Sequence, residues 1–265
     1  MFRKITLIAT AALITAGLST GFTAGLAAAN GDKAASAIQE EDPAKKGLEL
    51  LQAGDNDGAI DYLKQAVELD PANVEARVTL AGYYLNAPSI AGGSKKKARE
   101  QAEEIVKYDE VRGNWLLARV LIKDEKYDEA ITRIEACIAA DPEDADYRYQ
   151  LAMVYQGMER WDETFAQLEA ILDIDPDAAG ALYQVGRTAA MCGENTDRGI
   201  ECLERYLTIE VLPGYPGYDG AHWRLGMIYE HRGEQALAKE HFETAVELNP
   251  EDENYRKSLN ELASK

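Results

Sequence analysis

Hydrophobic residues have a helical periodicity along most of this chain, and the pattern repeats. Four segments of thirteen residues, 59–71, 130–142, 164–176 and 238–250, carry apolar residues at spacings of three and four and end in Asp-Pro or Asn-Pro. This spacing is typical of an amphipathic helix, and the residue before a proline is pushed out of helical conformation. Each segment therefore predicts a helix that ends at its proline.

The four segments lie at multiples of a common period. Pro142 and Pro176 are 34 residues apart, and the two longer gaps are each slightly more than two periods. Segments 98–110 and 199–211 fill those gaps with the same internal spacing but without the proline. A second helical pattern precedes every copy. The sequence therefore predicts six pairs of helices.

The last pair carries the most specific pattern. Leu225, Gly226 and Tyr229 lie three and four residues apart, Arg232 to Glu234 interrupt the helix, and an Ala-x3-Phe segment leads to Pro250. Over residues 40–252 this pattern and the period of 34 resemble the tetratricopeptide repeat. The resemblance implies an all-α protein: a right-handed α-solenoid of about six helix–turn–helix units with a C-terminal capping helix.

The expected superhelix spans residues 40–265. A small residue in each first helix lets its partner helix approach closely, and a larger residue in the second helix fills the space between units. The small residues are Gly47, Ala81, Ala118, Ala152, Gly186 and Gly226. We expect units at about 40–73, 74–110, 111–144, 145–178, 179–212 and 219–252, and a cap at 253–265. Lys46 and the early Pro43 indicate a short or frayed first helix in unit one.

The N-terminus has the pattern of a secretory signal peptide. Arg3 and Lys4 precede an apolar run over 5–18, and small residues lead to Ala29. A basic region, an apolar region and an A-x-A site in this order predict cleavage after Ala29 and an exported, periplasmic protein. Residues 30–39 then form a disordered leader. The alternative is an uncleaved membrane anchor, because residues 5–29 carry no charge.

The net charge restricts the partners. It is −19 for the whole chain, and cleavage after Ala29 would remove Arg3 and Lys4 and leave −21. Such a charge disfavours nucleic acid and anionic membrane surfaces, which it would repel. After cleavage we expect no stable membrane insertion. The expected partner is a protein or peptide, and the oligomeric state is left open.

Residues that carry chemistry are few. The spacing of Cys137, Cys192 and Cys202 does not suit zinc, and an odd number leaves at least one cysteine unpaired. Cys192 and Cys202 are not opposite each other in a tight helical hairpin, although their pairing stays open. His222, His231 and His241 lack a carboxylate arrangement for a metal. We expect no catalytic residues, no metal and no cofactor, and therefore no enzyme.

Two insertions interrupt the repeats. Residues 86–94 lengthen a turn and precede three lysines, but they lack the spacing of a P-loop. They predict a long turn with Ser94 as the N-cap of the next helix, an anion site at that helix start or a projecting contact loop. Residues 212–218 are either a rigid aromatic linker or a binding loop.

The resemblance also implies which residues line the concave surface, because in this family the first helix of each unit faces it. Units one and two then offer Ala44, Leu48, Val78 and Gly82 at their fifth and ninth positions. Units three to six offer an aromatic row with arginine and methionine beside it, which are types enriched in binding hot spots. The expected peptide-binding groove consists of Trp115, Arg119, Tyr149, Met153, Tyr183, Arg187, Trp223 and Met227.

These observations predict a non-enzymatic scaffold of the cell envelope that binds a protein or peptide in the groove of units three to six. Arg119 and Arg187 would each hold a ligand carboxylate. The Lys/Asn set with which chaperone-binding relatives clamp a C-terminal carboxylate has no match here. The alternatives are packing of the aromatics between helices, a small-ligand-binding accessory or sensor protein, and a self-assembling structural protein.

Overall fold

The computed structural model describes residues 42–264, and the predicted signal peptide, its cleavage site and the leader lie outside the described residues. Thirteen α-helices and no β-strand are present between residues 42 and 264. They are α1 Pro43–Gln52, α2 Asn56–Leu69, α3 Val74–Asn86, α4 Lys95–Val106, α5 Glu110–Lys123, α6 Tyr127–Ala140, α7 Ala145–Gly157, α8 Trp161–Ile174, α9 Ala179–Cys192, α10 Thr196–Thr208, α11 Tyr218–His231, α12 Gln235–Leu248 and α13 Glu253–Ala263.

The helices pack mainly against their neighbours along the chain. Each odd-numbered helix up to α11 pairs with the even-numbered helix after it, and consecutive pairs contact each other through α2–α3 and its equivalents. Further contacts join α3 to α5 and α9 to α11, and α13 packs on α12. The buried apolar residues of 42–264 form five clusters along the stack. Four clusters are shared by neighbouring helix pairs and the fifth by the last pair and α13, so every pair depends on its neighbours. The predicted all-α, right-handed solenoid with a capping helix is confirmed.

The helix boundaries follow from side-chain caps and from the prolines. Asp42, Asp55, Asn73, Asp109 and other short polar residues accept a hydrogen bond from a backbone N–H of the first turn, which satisfies a group that the helix leaves free. The residues before the four repeat prolines have non-helical φ and ψ and end α2, α6, α8 and α12. Helix α1 has only 10 residues, and Pro43 is its first.

The small residues predicted at the helix crossings allow the two helices of a unit to touch. A Cβ added at Gly186 would lie 2.2 Å from Cγ of Leu203, and one at Gly226 would lie 2.5 Å from the ring of Phe242. The facing residues are 0% exposed. No methyl group fits at either crossing without displacing a fully buried side chain.

The long turn between α3 and α4 has a defined conformation. Gly92 has a φ of +87°, and a Cβ at Gly93 would lie 1.9 Å from the carbonyl oxygen of Ala87. The Ser94 hydroxyl accepts from the backbone N–H of Lys97, so the N-cap predicted for Ser94 is present. Ile90 at the tip is 99% exposed. The turn therefore requires its two glycines and projects one apolar side chain.

The insertion between units five and six is tied back to the helices on either side. The Tyr206 hydroxyl donates to the carbonyl oxygen of Pro216 at 2.5 Å. The Tyr218 hydroxyl donates to the carbonyl oxygen of Ile209 at 2.7 Å. These two bonds hold the segment between α10 and α11 against the stack.

The three cysteines are all free thiols. Burial raises the pKa of Cys137 to about 11 and that of Cys202 to about 12, whereas Cys192 is half-buried. Cys137 and Cys202 therefore behave as small apolar core residues. None of the helices between residues 42 and 264 has the length and apolar character that a membrane span requires.

Candidate functional site

The residues predicted to form the groove lie on α5, α7, α9 and α11, the first helices of units three to six. Seven of the eight are half-buried, and Tyr183 is buried. Several make contacts that cross from one first helix to the next. We call this surface the A-helix face, and we define it by the eight predicted residues and the side chains that bond to them.

At the α5 end of the A-helix face, one tryptophan is packed and one arginine is without a partner. The Trp115 ring meets Tyr147 of α7 edge-on, with ring centroids 5.0 Å apart. One turn further along α5, Arg119 makes no hydrogen bond or ion pair with any residue of 42–264. Burial lowers the pKa of Arg119 because removing water from a guanidinium disfavours its charged form.

A polar network joins α7 to α9 in the middle of the face. Arg187 donates to Oε1 of Gln156 at 2.6 Å and to Oε1 of Gln184 at 3.1 Å. Gln184 in turn donates to the Tyr149 hydroxyl at 2.8 Å, and Gln156 donates to the Thr188 hydroxyl at 2.8 Å. Burial, and secondarily the charge of Arg224, lowers the pKa of Arg187. The acceptors of Arg187 are neutral amides, so its charge is not neutralised.

The structure does not place Tyr183 in an open aromatic row. Tyr183 is 7% exposed, and its ring centroid lies 5.4 Å from that of Tyr206. A Cβ built on Gly220 of α11 would lie 3.1 Å from the Tyr183 hydroxyl. The prediction that Tyr183 faces a ligand is therefore wrong in this structure, because the start of α11 covers the ring.

At the α11 end, Trp223 is held by the capping helix. Its indole N–H donates to the Ser258 hydroxyl at 2.9 Å, and its ring lies 5.3 Å from that of Tyr255. The guanidinium of Arg224 lies over the Trp223 ring at 4.2 Å and donates to the sulfur of Met227 at 3.4 Å. The Nε atom of Arg224 is buried and has no hydrogen-bond partner in the described structure.

Four side chains of the A-helix face were not predicted. Gln184 and Arg224 occupy the sixth position of their units, Gln156 occupies the twelfth, and Ser258 lies in the capping helix. Tyr215 of the inserted segment lies next to this face. A Cβ at Gly180 would lie 3.5 Å from the ring of Tyr215 and 3.6 Å from that of Tyr149. The available signal was polar residues at sixth positions of first helices, next to the fifth-position aromatics.

Other chemistry is sparse. Between residues 42 and 264, no three side chains of His, Cys, Asp or Glu are grouped so that they could hold a metal ion. His222 and His241 form a pair with their Nδ1 atoms 3.0 Å apart, and the His241 ring stacks on Tyr229. His231 instead contacts the carbonyl oxygen of Ala190. The histidines therefore pack and bond within the stack.

The repeat geometry defines the class of protein, and the sequence comparison agrees with it. A tetratricopeptide repeat family model matches residues 50–110 and 121–184, and a second tetratricopeptide repeat model matches residues 220–252. These matches cover more than half of the chain, which therefore belongs to the tetratricopeptide repeat family. No curated protein matches the sequence.

Solved structures with the same fold include three in which the match extends over nearly the whole length of the other chain. MamA is 25% identical, with a TM-score of 0.51 over 61% of this chain and 92% of its own. YrrB, described as a TPR protein with an unusual peptide-binding site, is 17% identical, with a TM-score of 0.58 over 74% and 96%. PilW, a widely conserved type IV pilus biogenesis factor, is 17% identical, with a TM-score of 0.64 over 82% and 96%.

Proposed function

We propose that this protein is a non-enzymatic scaffold of the cell envelope that binds a protein or peptide on the concave face of units three to six. The observation that carries the proposal is the chemistry of the A-helix face. Its half-buried aromatics, methionines and arginines contrast with the small aliphatic residues of units one and two. Tetratricopeptide repeat proteins are scaffolds for protein interaction, and the solved structure of YrrB is described by its peptide-binding site.

The mechanism is burial of ligand side chains against the partly open aromatic and thioether groups. Trp115 and Trp223 lie at the two ends of the face, and Met227 lies beside Arg224. Aromatic and arginine side chains at a desolvated surface dominate the energy of most protein interfaces. The arginines would fix the direction in which the ligand chain runs.

The envelope location rests on the sequence of residues 1–29. A basic start, an apolar run and small residues before Asn30 are the order that export requires. PilW, which has the same fold, is described as a pilus biogenesis factor. Fractionation of cells that express the protein, with N-terminal sequencing of the product, tests both the compartment and cleavage after Ala29.

The groove is tested by capture from envelope extract. We expect Trp115→Ala and Trp223→Ala to reduce recovery of the partner about tenfold or more, as for hot-spot aromatics. Tyr62→Ala is the matched control, because Tyr62 is 36% exposed on α2, a second helix. Circular dichroism must show that the variants stay folded, since Trp223 also bonds to the capping helix. Unchanged capture by both tryptophan variants would overturn the groove assignment.

A further inference from the structure

Outside the A-helix face, six of the ten arginines of residues 42–264 are paired with carboxylates. The chain has 47 acidic and 28 basic residues, so an exposed arginine meets an acidic neighbour easily. Arg198 bonds to both oxygens of Glu169 at 2.9 Å, and Arg205 lies 2.6 Å from Asp177. The other arginines with a carboxylate partner are Arg99, Arg112, Arg160 and Arg232.

All three arginines of the A-helix face lack a carboxylate partner, against four of the ten arginines elsewhere in residues 42–264. Arg119 makes no polar contact with residues 42–264, Arg187 bonds to two neutral amides, and Arg224 leaves its buried Nε atom without an acceptor. They lie on α5, α9 and α11, and no carboxylate of the described residues lies within ion-pair distance of any of them. The face thus concentrates uncompensated positive charge in a protein whose exterior is acidic.

Such an arrangement costs folding energy. A charged group that loses water without gaining an opposite charge is destabilising, and hydrophobic residues of similar size would pack at these positions without that cost. Each of the three guanidiniums retains free N–H donors. Since folding supplies none of the three with a carboxylate, a ligand can.

We propose that the ligand of this face is a peptide that bears carboxylates, and that Arg119, Arg187 and Arg224 bind them. This inference rests on the proposed function, and it adds the chemical class of the ligand and a third arginine to it. A guanidinium holds a carboxylate through two parallel hydrogen bonds, which gives both strength and direction. Side-chain carboxylates and a C-terminal carboxylate share this chemistry, and the experiment below separates them.

The positions of the arginines set the spacing of the acidic residues. Packed helices lie about 8–10 Å apart, and an extended peptide rises about 3.3 Å per residue. Arg187 and Arg224 lie on neighbouring first helices, which α9–α11 contacts join directly. They therefore suit two carboxylates about three residues apart. Arg119 lies on α5, two first helices before α9, which carries Arg187. It therefore suits a third carboxylate about six residues from the one that Arg187 binds.

The ligand is a peptide with a few carboxylates rather than a polyanion. The whole chain has a net charge of −19, so a nucleic acid or a long acidic tract would be repelled at distances beyond the face itself. A few carboxylates at contact distance gain direct bonds to desolvated guanidiniums. The adjacent Trp115, Tyr149 and Met227 provide apolar surface for the residues between the carboxylates.

The test is selection of phage-displayed random dodecapeptides on the purified protein. Displayed peptides have either a free or a blocked C-terminus, which separates side-chain carboxylates from the terminal one. Selected peptides are then synthesised with each Asp or Glu intact or replaced by Asn or Gln. Their Kd is measured by fluorescence anisotropy against the wild type, Arg119→Gln, Arg187→Gln and Arg224→Gln. Arg205→Gln, which removes a surface arginine of α10, is the matched control.

We expect enrichment of acidic residues about three positions apart and a loss of roughly 10-fold or more in affinity for each groove arginine removed, with no change for Arg205→Gln. Arg119→Gln is the decisive variant, because Arg119 has no bond whose loss could unfold the stack. Selected peptides that lack acidic residues, or that bind the three variants like the wild type while losing affinity for Trp115→Ala, would overturn the ligand class but leave the groove. Absence of any peptide sensitive to Trp115→Ala or Trp223→Ala would remove the proposed function as well.

Discussion

Units one and two and units three to six of this stack are built alike inside and differ on the face that their first helices share. Inside, Leu80 of unit two and Leu151 of unit four occupy the same repeat position and are 1% and 2% exposed. On the shared face, a Cβ at Gly82 of unit two would meet no atom within 4 Å, and Leu48 of unit one is 42% exposed. The equivalent position of unit five is Arg187 with its hydrogen-bond network.

The difference separates residues that stacking requires from residues that stacking leaves free. Every unit must fill the space between its helices, so the core positions vary little in size and polarity. The face of the first helices contributes less to that core. Its chemistry is therefore the better guide to binding, and its change between Val78 and Trp115 marks where the proposed groove begins.

The largest expected effect tests whether the interior of units one and two is packed as tightly as that of units three to six. Leu80→Ala and Leu151→Ala each remove a nearly fully buried side chain, so each should lower the free energy of unfolding by about 2–5 kcal/mol. Urea unfolding followed by circular dichroism measures both. If Leu80→Ala proved nearly neutral while Leu151→Ala was costly, units one and two would not share the core that the comparison assigns to them.

A smaller effect on the free energy of unfolding should have opposite signs at two glycines of first helices. Gly186→Ala should destabilise the protein by about 1–3 kcal/mol, because its new methyl group overlaps the fully buried Leu203. Gly82→Ala should stabilise it by roughly 0.5–1 kcal/mol, since alanine favours the helix and the site is open. The same urea titrations measure both variants. Destabilisation by Gly82→Ala would show that the face of unit two is covered.

The smallest effect concerns the His222–His241 pair of unit six, which units one and two lack. Burial lowers the pKa of His222, and burial together with His222 lowers that of His241, while Glu240 acts weakly in the opposite direction. The unfolded chain therefore takes up these protons more readily than the folded protein. The stability from the neutral pair is present above the ordinary histidine pKa of about 6.5 and is lost as the pH falls below it.

This prediction is measured by urea unfolding near pH 7.5 and near pH 5.5. The wild type should lose more stability over this interval than a variant with both His222→Gln and His241→Gln. Both proteins keep His231, so the comparison isolates the His222–His241 pair. Equal losses would mean that the two histidines bind protons equally well in the folded and the unfolded protein. Unit six would then gain no pH-dependent stability from the pair.

The period of the sequence was sufficient to predict the fold, because its signals are local. Asp or Asn before proline predicted where four of the helices end, and small size at a fixed repeat position identified Gly186 and Gly226 as crossing positions. Ser94 was also predicted as an N-cap. These features depend on residues within one unit, where spacing along the chain determines spacing in the structure.

The candidate site was less predictable because it depends on contacts between units. The repeat position of Tyr183 indicated an inward direction, but it did not reveal that the start of α11 would cover the ring. The acceptors of Arg187 come from α7 and α9, and Arg224 occupies a sixth position that the pattern did not single out. Which arginines lack a carboxylate emerges only when all side chains are placed.

The segment between α10 and α11 bears on how such chains change in length during evolution. It has nine residues, 209–217, where the connections before α3, α7 and α9 have four. The hydroxyls of Tyr206 and Tyr218 bond this longer segment to the helices, and α11 still packs on α9 and α10. The register of a repeat array is thus set by helix contacts and tolerates insertions between units. A gene can therefore acquire codons at such a junction, and with them a residue such as Tyr215 beside the A-helix face, without disturbing the periodic fold.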